Sequence, residues 1–196
     1  NPAPADCGAP ASIMLTHEPT PIITAATPLR ICDEGGAIVL DGANFDAAMT
    51  VTLGTIAADT VVVNSAGTQA TATFAAGIAE GTYDVIVENP NMCSSTFDEQ
   101  VRVVTGPRAF YVDPPTLYNG VSTQVTIFLT GLYGGAVTAA EVIDSAGTVT
   151  PLTNITFDPS KPNTVQAVVP INVAADTFSV KLYDDLNCSE VTPGLV

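Results

Sequence analysis

Two stretches decide the fold: Gly81–Cys93, GTYDVIVENPNMC, and Asp176–Cys188, DTFSVKLYDDLNC. In each an aromatic residue stands ten positions before a cysteine, Tyr83 before Cys93 and Phe178 before Cys188. In each, alternate positions are apolar: Tyr83, Val85 and Val87 in the first, Phe178, Val180 and Leu182 in the second. A period of two is that of a β-strand with one buried face, so these six residues are expected in core. The offset between the stretches is 95 residues, about the length of an immunoglobulin-like domain.

Other strands fall around this pair. In the first unit they are expected near residues 22–26, 37–41, 50–53, 60–63, 69–74, 82–88 and 97–104. In the second they are expected near 109–112, 124–130, 140–143, 149–157, 164–169 and 177–183, with a short remnant after Cys188. Glycine punctuates them at Gly35-Gly36, Gly42, Gly67, Gly131, Gly134-Gly135 and Gly147. The expected fold is all-β, two tandem immunoglobulin-like β-sandwiches. The boundaries are 1–19 for an N-terminal extension, 20–105 for the first domain and 106–196 for the second, joined through Thr105-Gly106-Pro107.

Composition agrees. The chain of 196 residues is 46% hydrophobic and only 13% charged, with 15 Gly, 15 Pro and no Trp. Short β-branched runs between turn residues are what a sandwich needs. Five basic residues face twenty acidic ones, a net charge of −15. That charge repels nucleic acid phosphates and anionic membrane surfaces, so neither is an expected partner. No apolar run approaches the ~18 residues that suggest a membrane span. No charged n-region followed by an apolar h-region opens the sequence.

The first unit resembles an IPT/TIG domain. The residues that carry the likeness are Pro21–Pro28, Gly35-Gly36, Ile38–Gly42, Asn44-Phe45, Gly81–Val87 and Asn89-Pro90. The second unit keeps Pro114-Pro115 and Thr126–Tyr133, but has Asn119-Gly120-Val121 where the Gly-Gly turn would be. The resemblance implies an immunoglobulin-like binding or spacer module of bacterial surface proteins, plexins and starch-acting enzymes, without catalysis. Rel-type members of the family contact DNA through basic loops, which this chain lacks.

The ends depart from a simple pair of domains. From Cys7 to Pro28 is 21 residues, and from Cys93 to Pro114 is also 21. Ile13, Met14, Leu15 and Thr16 therefore stand where a preceding domain would have its last strand, within the place of the 97–104 strand, with Leu15 at the position of Val101. At the other end only Ser189–Val196 follow Cys188, so the last strand of the second unit is short. A sandwich lacking part of its final strand exposes core and unpaired backbone. A strand from a neighbouring copy would complete it, a head-to-tail contact that propagates a filament. The ordinary alternative packs the extension on its own first domain and accepts a short last strand.

Cys7, Cys32, Cys93 and Cys188 are disulfide candidates, because they are even in number, lie outside any CxxC pair and have only His17 as a companion. Strand exchange would bring Cys7 of one copy near Cys188 of the next and leave Cys32 with Cys93. Without exchange, Cys7–Cys93 and Cys32–Cys188 fit better. Disulfides imply an extracellular or cell-surface protein.

No nucleophile, histidine and acid can be assembled into a catalytic set, so no enzyme is expected. No cofactor is expected either. Calcium is the one ion with ligands in view, at Asp184, Asp185 and Asn187, against the ordinary reading of solvated turn acids. A glycan platform would use exposed aromatics, for which Tyr111, Tyr118 and Tyr133 are candidates, with Tyr118 and Tyr133 carried forward as ligand-binding residues. The leading expectation is an extracellular structural or adhesive protein, a filament subunit joined by its N-terminal strand. The alternative is a glycan- or protein-binding module or spacer of a larger surface protein.

Overall fold

The computed structural model describes residues 19–196. Ile13, Met14, Leu15 and Cys7 lie outside the described residues. Seventeen strands follow one another with no helix among the described residues. The first nine are β1 Ile22–Thr27, β2 Arg30–Cys32, β3 Gly36–Ala43, β4 Thr50–Leu53, β5 Ile56–Ala57, β6 Thr60–Val63, β7 Gln69–Phe74, β8 Gly81–Glu88 and β9 Ser94–Val104. They form one sheet in the order β1-β3-β7-β6 and a second in the order β2-β9-β8-β4-β5. The other eight are β10 Arg108–Asp113, β11 Thr123–Thr130, β12 Val137–Ile143, β13 Val149–Pro151, β14 Thr153–Phe157, β15 Thr164–Val169, β16 Ser179–Asp184 and β17 Ser189–Thr192. Their sheets run β10-β11-β15-β14 and β13-β12-β16-β17. All pairs are antiparallel except β2 with β9, which is parallel.

Each pair of sheets closes on its own core. Ile38, Leu40, Leu53, Ala72, Val85, Val87, Val101 and Val103 fill the first. Ala109, Val125, Ile127, Leu129, Val142, Val165, Val180 and Leu182 fill the second. These residues alternate along their strands with exposed neighbours, as sheets with one wet face require. Val85, Val87, Val180 and Leu182 are buried as their period-two spacing predicts, Phe178 with them, and Tyr83 packs partly buried against the first core.

Two expectations need correction. The run 149–157 is not one strand. It breaks at Leu152, whose side chain turns into the core, so that β13 joins one sheet and β14 the other. The last strand of the first sandwich begins at Ser94 and runs eleven residues, longer than the 97–104 segment the apolar pattern marks. Its first half is polar because it lies on the exposed end of the sheet, where alternation of Val no longer helps.

The two sandwiches are alike in detail. The β8–β9 and β16–β17 turns close the same way. The Asn89 N–H donates to Cys93 O and the Asp184 N–H to Cys188 O. Met92 and Asn187 both take positive φ, 64° and 63°. β1 and β10 both carry a bulge, at Thr24 and at Phe110.

Candidate functional site

The sandwiches differ at the far end of the last strand. In the first, β9 crosses the whole sheet. Val101 pairs with Tyr83, and Arg102, Ile31's partner Val103, and Val104 then lie beside β2. Val101, Val103 and Val104 are all buried. In the second, β17 stops at Thr192, and the backbone comes back beside Phe178, just before β16; the Phe178 N–H donates to Val196 O at 2.6 Å and its C=O accepts the N–H groups of Leu195 and Val196. Val196 there holds the place of Val101. Beside this contact lies a groove of about 530 Å³. Leu117, Val142, Val169, Val173 and Phe178 give it an apolar floor, and Tyr118 stands at its rim, 80% exposed.

Asp176 lines the same groove. Its carboxylate accepts the Ser145 hydroxyl at 2.6 Å, the Ser145 N–H at 2.8 Å and the Thr177 N–H at 2.7 Å. These donors, the Ser145 hydroxyl first, hold its carboxyl below the usual carboxylate range. The groove therefore keeps a fixed negative charge at one wall.

A second cluster joins the sandwiches. Cys32 and Cys188 form a disulfide, with Cα atoms 5.2 Å apart. Cys188 is thus bonded within the chain, and the pairing of Cys7 with Cys188 and Cys32 with Cys93 does not hold. Among the described residues Cys93 has no disulfide partner. Val104 and Leu186 pack around the sulfurs. Beside them Arg30 reaches from β2 across the junction. Its Nη1 donates to the carbonyls of Tyr133 and Gly134, the latter at 2.6 Å, and its Nη2 to Asp185. Asp184 Oδ2 lies 3.5 Å from the same nitrogen. The other Asp184 oxygen accepts the N–H groups of Leu186 and Cys188, both at 2.9 Å. Asp184 is 3% exposed, so the cation and two N–H groups are what make its burial tolerable.

Tyr133 completes the joint. The Arg102 guanidinium lies over its ring at 3.8 Å from the centroid, and its hydroxyl donates to Glu80 at 2.8 Å. That hydrogen bond, then burial and the charge of Glu80, push the phenol above its ordinary value despite Arg102. Gly106 passes so close to the backbone of Ser189 that a methyl group there would overlap it.

The residues singled out in the sequence thus fall in different places. Tyr118 is at the groove rim. Tyr133 is spent on the junction. Asp184 and Asp185 face Arg30, and Asn187 serves the turn, its N–H donating to Asp184 O. No group of three or more His, Cys, Asp or Glu side chains placed to hold a metal occurs among the described residues. Arg30 drew no notice in the sequence. The signal was there in its scarcity: of five basic residues, Arg30 and Arg102 both serve the junction.

No protein-family model matches the sequence, and no curated protein matches it. Among solved structures, the chain is similar to the plexin A4 extracellular region, at 16% identity and a TM-score of 0.53, over 98% of this chain and 17% of that one. It is also matched, at TM-scores of 0.36 and 0.37 and 15% identity, to two proteins named SGBP-B. One is from a xyloglucan utilization locus of Bacteroides uniformis (90% of this chain, 49% of that one). The other is from a mixed-linkage glucan utilization locus of Bacteroides ovatus (87% and 40%). The chain therefore spans half or less of each of these structures, and scores below 0.5 establish nothing beyond themselves. The likeness to plexin A4 shows the fold, an all-β, immunoglobulin-like architecture.

Proposed function

We propose that this chain is a non-catalytic structural or adhesive protein that works outside the cell, its two domains of IPT/TIG type, joined head to tail by strand exchange. One observation carries the reading: a groove floored by the apolar side chains of Leu117, Val142, Val169, Val173 and Phe178 lies beside Leu195 and Val196. An apolar groove lined by Thr177 and Phe178, ahead of β16, takes a strand that supplies alternate apolar side chains. The occupant is the N-terminal segment of a second copy, because Leu15 stands eight residues after Cys7 as Val101 stands eight after Cys93. The Cys32–Cys188 disulfide supports an oxidising compartment; it is the pairing that fits without exchange, so the exchange proposed here is non-covalent and uses no Cys7–Cys188 link. Interfaces of this kind are heterologous and extend without closing.

Removal of residues 1–18 tests it. By light scattering the full chain is expected to give concentration-dependent oligomers and the shortened chain a monomer. A fluorescent peptide of residues 1–18 should bind the shortened chain and fail to bind its Val173→Arg variant. Undiminished assembly without residues 1–18, or no peptide binding, would rule out the strand donor. The second reading, a glycan- or protein-binding module or spacer of a larger surface protein, is favoured by the exposure of Tyr118.

A further inference from the structure

The outer face of the β10-β11-β15 sheet carries a feature that strand exchange does not use. At the β10 bulge Phe110 is the extra residue, between Ala109 opposite Leu129 and Tyr111 opposite Phe128. Ala109 and Val112 both point into the core, so two consecutive aromatic side chains, Phe110 and Tyr111, are left on the outer face. They are 57% and 45% exposed. Both lean on Phe128, with ring centroids at 6.4 and 5.6 Å. Three aromatic rings thus share one wet face.

The fold does not require them. The same bulge in the first sandwich presents Thr24 and Ala25, and the partner of Ala25 is Asp41, which accepts a hydrogen bond from Gln69 at 2.8 Å. That sandwich closes its core equally well with a small polar face, so the aromatic trio belongs to the second sandwich alone.

The neighbours of the trio say what it suits. Along the face, Phe128 is followed by Thr164, and Thr126 by Gln166. Gln124 donates to Gln166 Oε1 at 3.2 Å, which leaves the Gln166 amide N–H groups and the Gln124 carbonyl directed outward without a partner among the described residues. Charges on β10 are few: Asp113 stands opposite Thr126, on the rung of Gln166, and Arg108 at the other end lies 3.6 Å from Glu190. In a chain of net charge −15, Asp113 is the one charged side chain on the rungs that hold Tyr111, Phe128 and Gln166. Between Arg108 and Asp113 these strands offer an anionic ligand no cation, and Lys161 lies outside them, in the turn before β15. An apolar protein surface would bury the spare amide groups unpaired, which is costly. A neutral polyhydroxylated ring satisfies both halves, its C–H face on the aromatic rings and its hydroxyls on the amides.

We propose that Phe110, Tyr111 and Phe128, with Gln124 and Gln166, form a binding platform for neutral carbohydrate on the outer face of the second sandwich. The platform is independent of strand exchange and uses none of the groove floor.

Native-gel affinity electrophoresis of the full chain tests it, with hydroxyethyl cellulose, dextran and galactomannan as separate probes. The chain is expected to be retarded by at least one of them. Tyr111→Ala and Phe128→Ala should each weaken binding about three- to ten-fold, the scale of one lost stacking contact. Tyr111→Ser, at an exposed bulge, is the variant least able to disturb folding, and circular dichroism checks each protein. Tyr118→Ala should bind as the parent does. Retardation by none of the three polymers overturns the proposal, as does retained binding in Tyr111→Ser. A fall in mass by light scattering when Tyr111 is replaced, without any polymer binding, would make the face a contact between copies and also overturn it.

Discussion

Replacing Arg30 by Met keeps the hydrocarbon stem and removes the cation. Asp185, nearly half exposed, stands to lose little, because ion pairs in water contribute ~0–1 kcal/mol. Asp184 is different. It is buried, and loss of a buried partner typically costs ~3–5 kcal/mol. Here the cost is moderated by the N–H groups of Leu186 and Cys188, which remain on its other oxygen. The carbonyls of Tyr133 and Gly134 lose a charged donor as well. A destabilisation of about 2–4 kcal/mol follows. Urea unfolding of the reduced protein, read by far-ultraviolet circular dichroism, measures it without the covalent tie. A cycle with Asp184→Asn isolates the pair, since Asn keeps the carbonyl that accepts the two N–H groups. Coupling of about 1–3 kcal/mol is expected. If the two changes add within about 0.5 kcal/mol, the Arg30–Asp184 contact contributes nothing of note and the account of the junction is mistaken.

Other consequences are open to measurement. Gly106→Ala should cost about 1–3 kcal/mol or more in the same unfolding assay, because the added methyl overlaps the Ser189 backbone; an unchanged midpoint would mean the junction can slide. Cys32→Ser with Cys188→Ser should lower stability by about 2–5 kcal/mol, and a melting curve unmoved by the pair would show the bridge to be dispensable. Tyr133 should ionise above the ordinary phenol range in an absorbance titration at alkaline pH, and Glu80→Gln should bring it down. Its folded value is raised, so the contribution it makes is complete below the unfolded phenol value and is lost as pH rises through the folded one.

Much of the fold was legible because it rests on period-two burial. Val85 and Val87, flanked by Asp84 and Glu88, and Val180 and Leu182, on either side of Lys181, are spaced by two, and such a pattern has one solution in a half-wet sheet. The repeat of that pattern at a fixed offset made the tandem arrangement readable too. Short strands escaped, because β2 and β5 have two or three residues and no period to show. The break at Leu152 escaped because a strand that changes sheets keeps its β-branched composition. Of the candidate site, Tyr118 was visible as an exposed aromatic before a turn. The use of Asp184 was not, since a pair of acids near a turn reads the same whether a cation in solution or Arg30 faces it. The aromatic trio needed the bulge: Phe110 and Tyr111 in succession suggest opposite faces, and only the extra residue puts them on the same one.

The disulfide reaches well beyond the few side chains it touches. Cys32 and Cys188 are 156 positions apart along the chain, yet neighbours in space. Tension applied to segments before residue 32 and after residue 188 would pass from β2 to the start of β17 through two sulfur atoms. Nearly all of both sandwiches then hangs as a side loop off the line of force. At ~3.4 Å per extended residue, about 500 Å of contour is withheld from stretching for as long as the bond is intact. Reduction would release that length all at once, turning a short strut into a long tether.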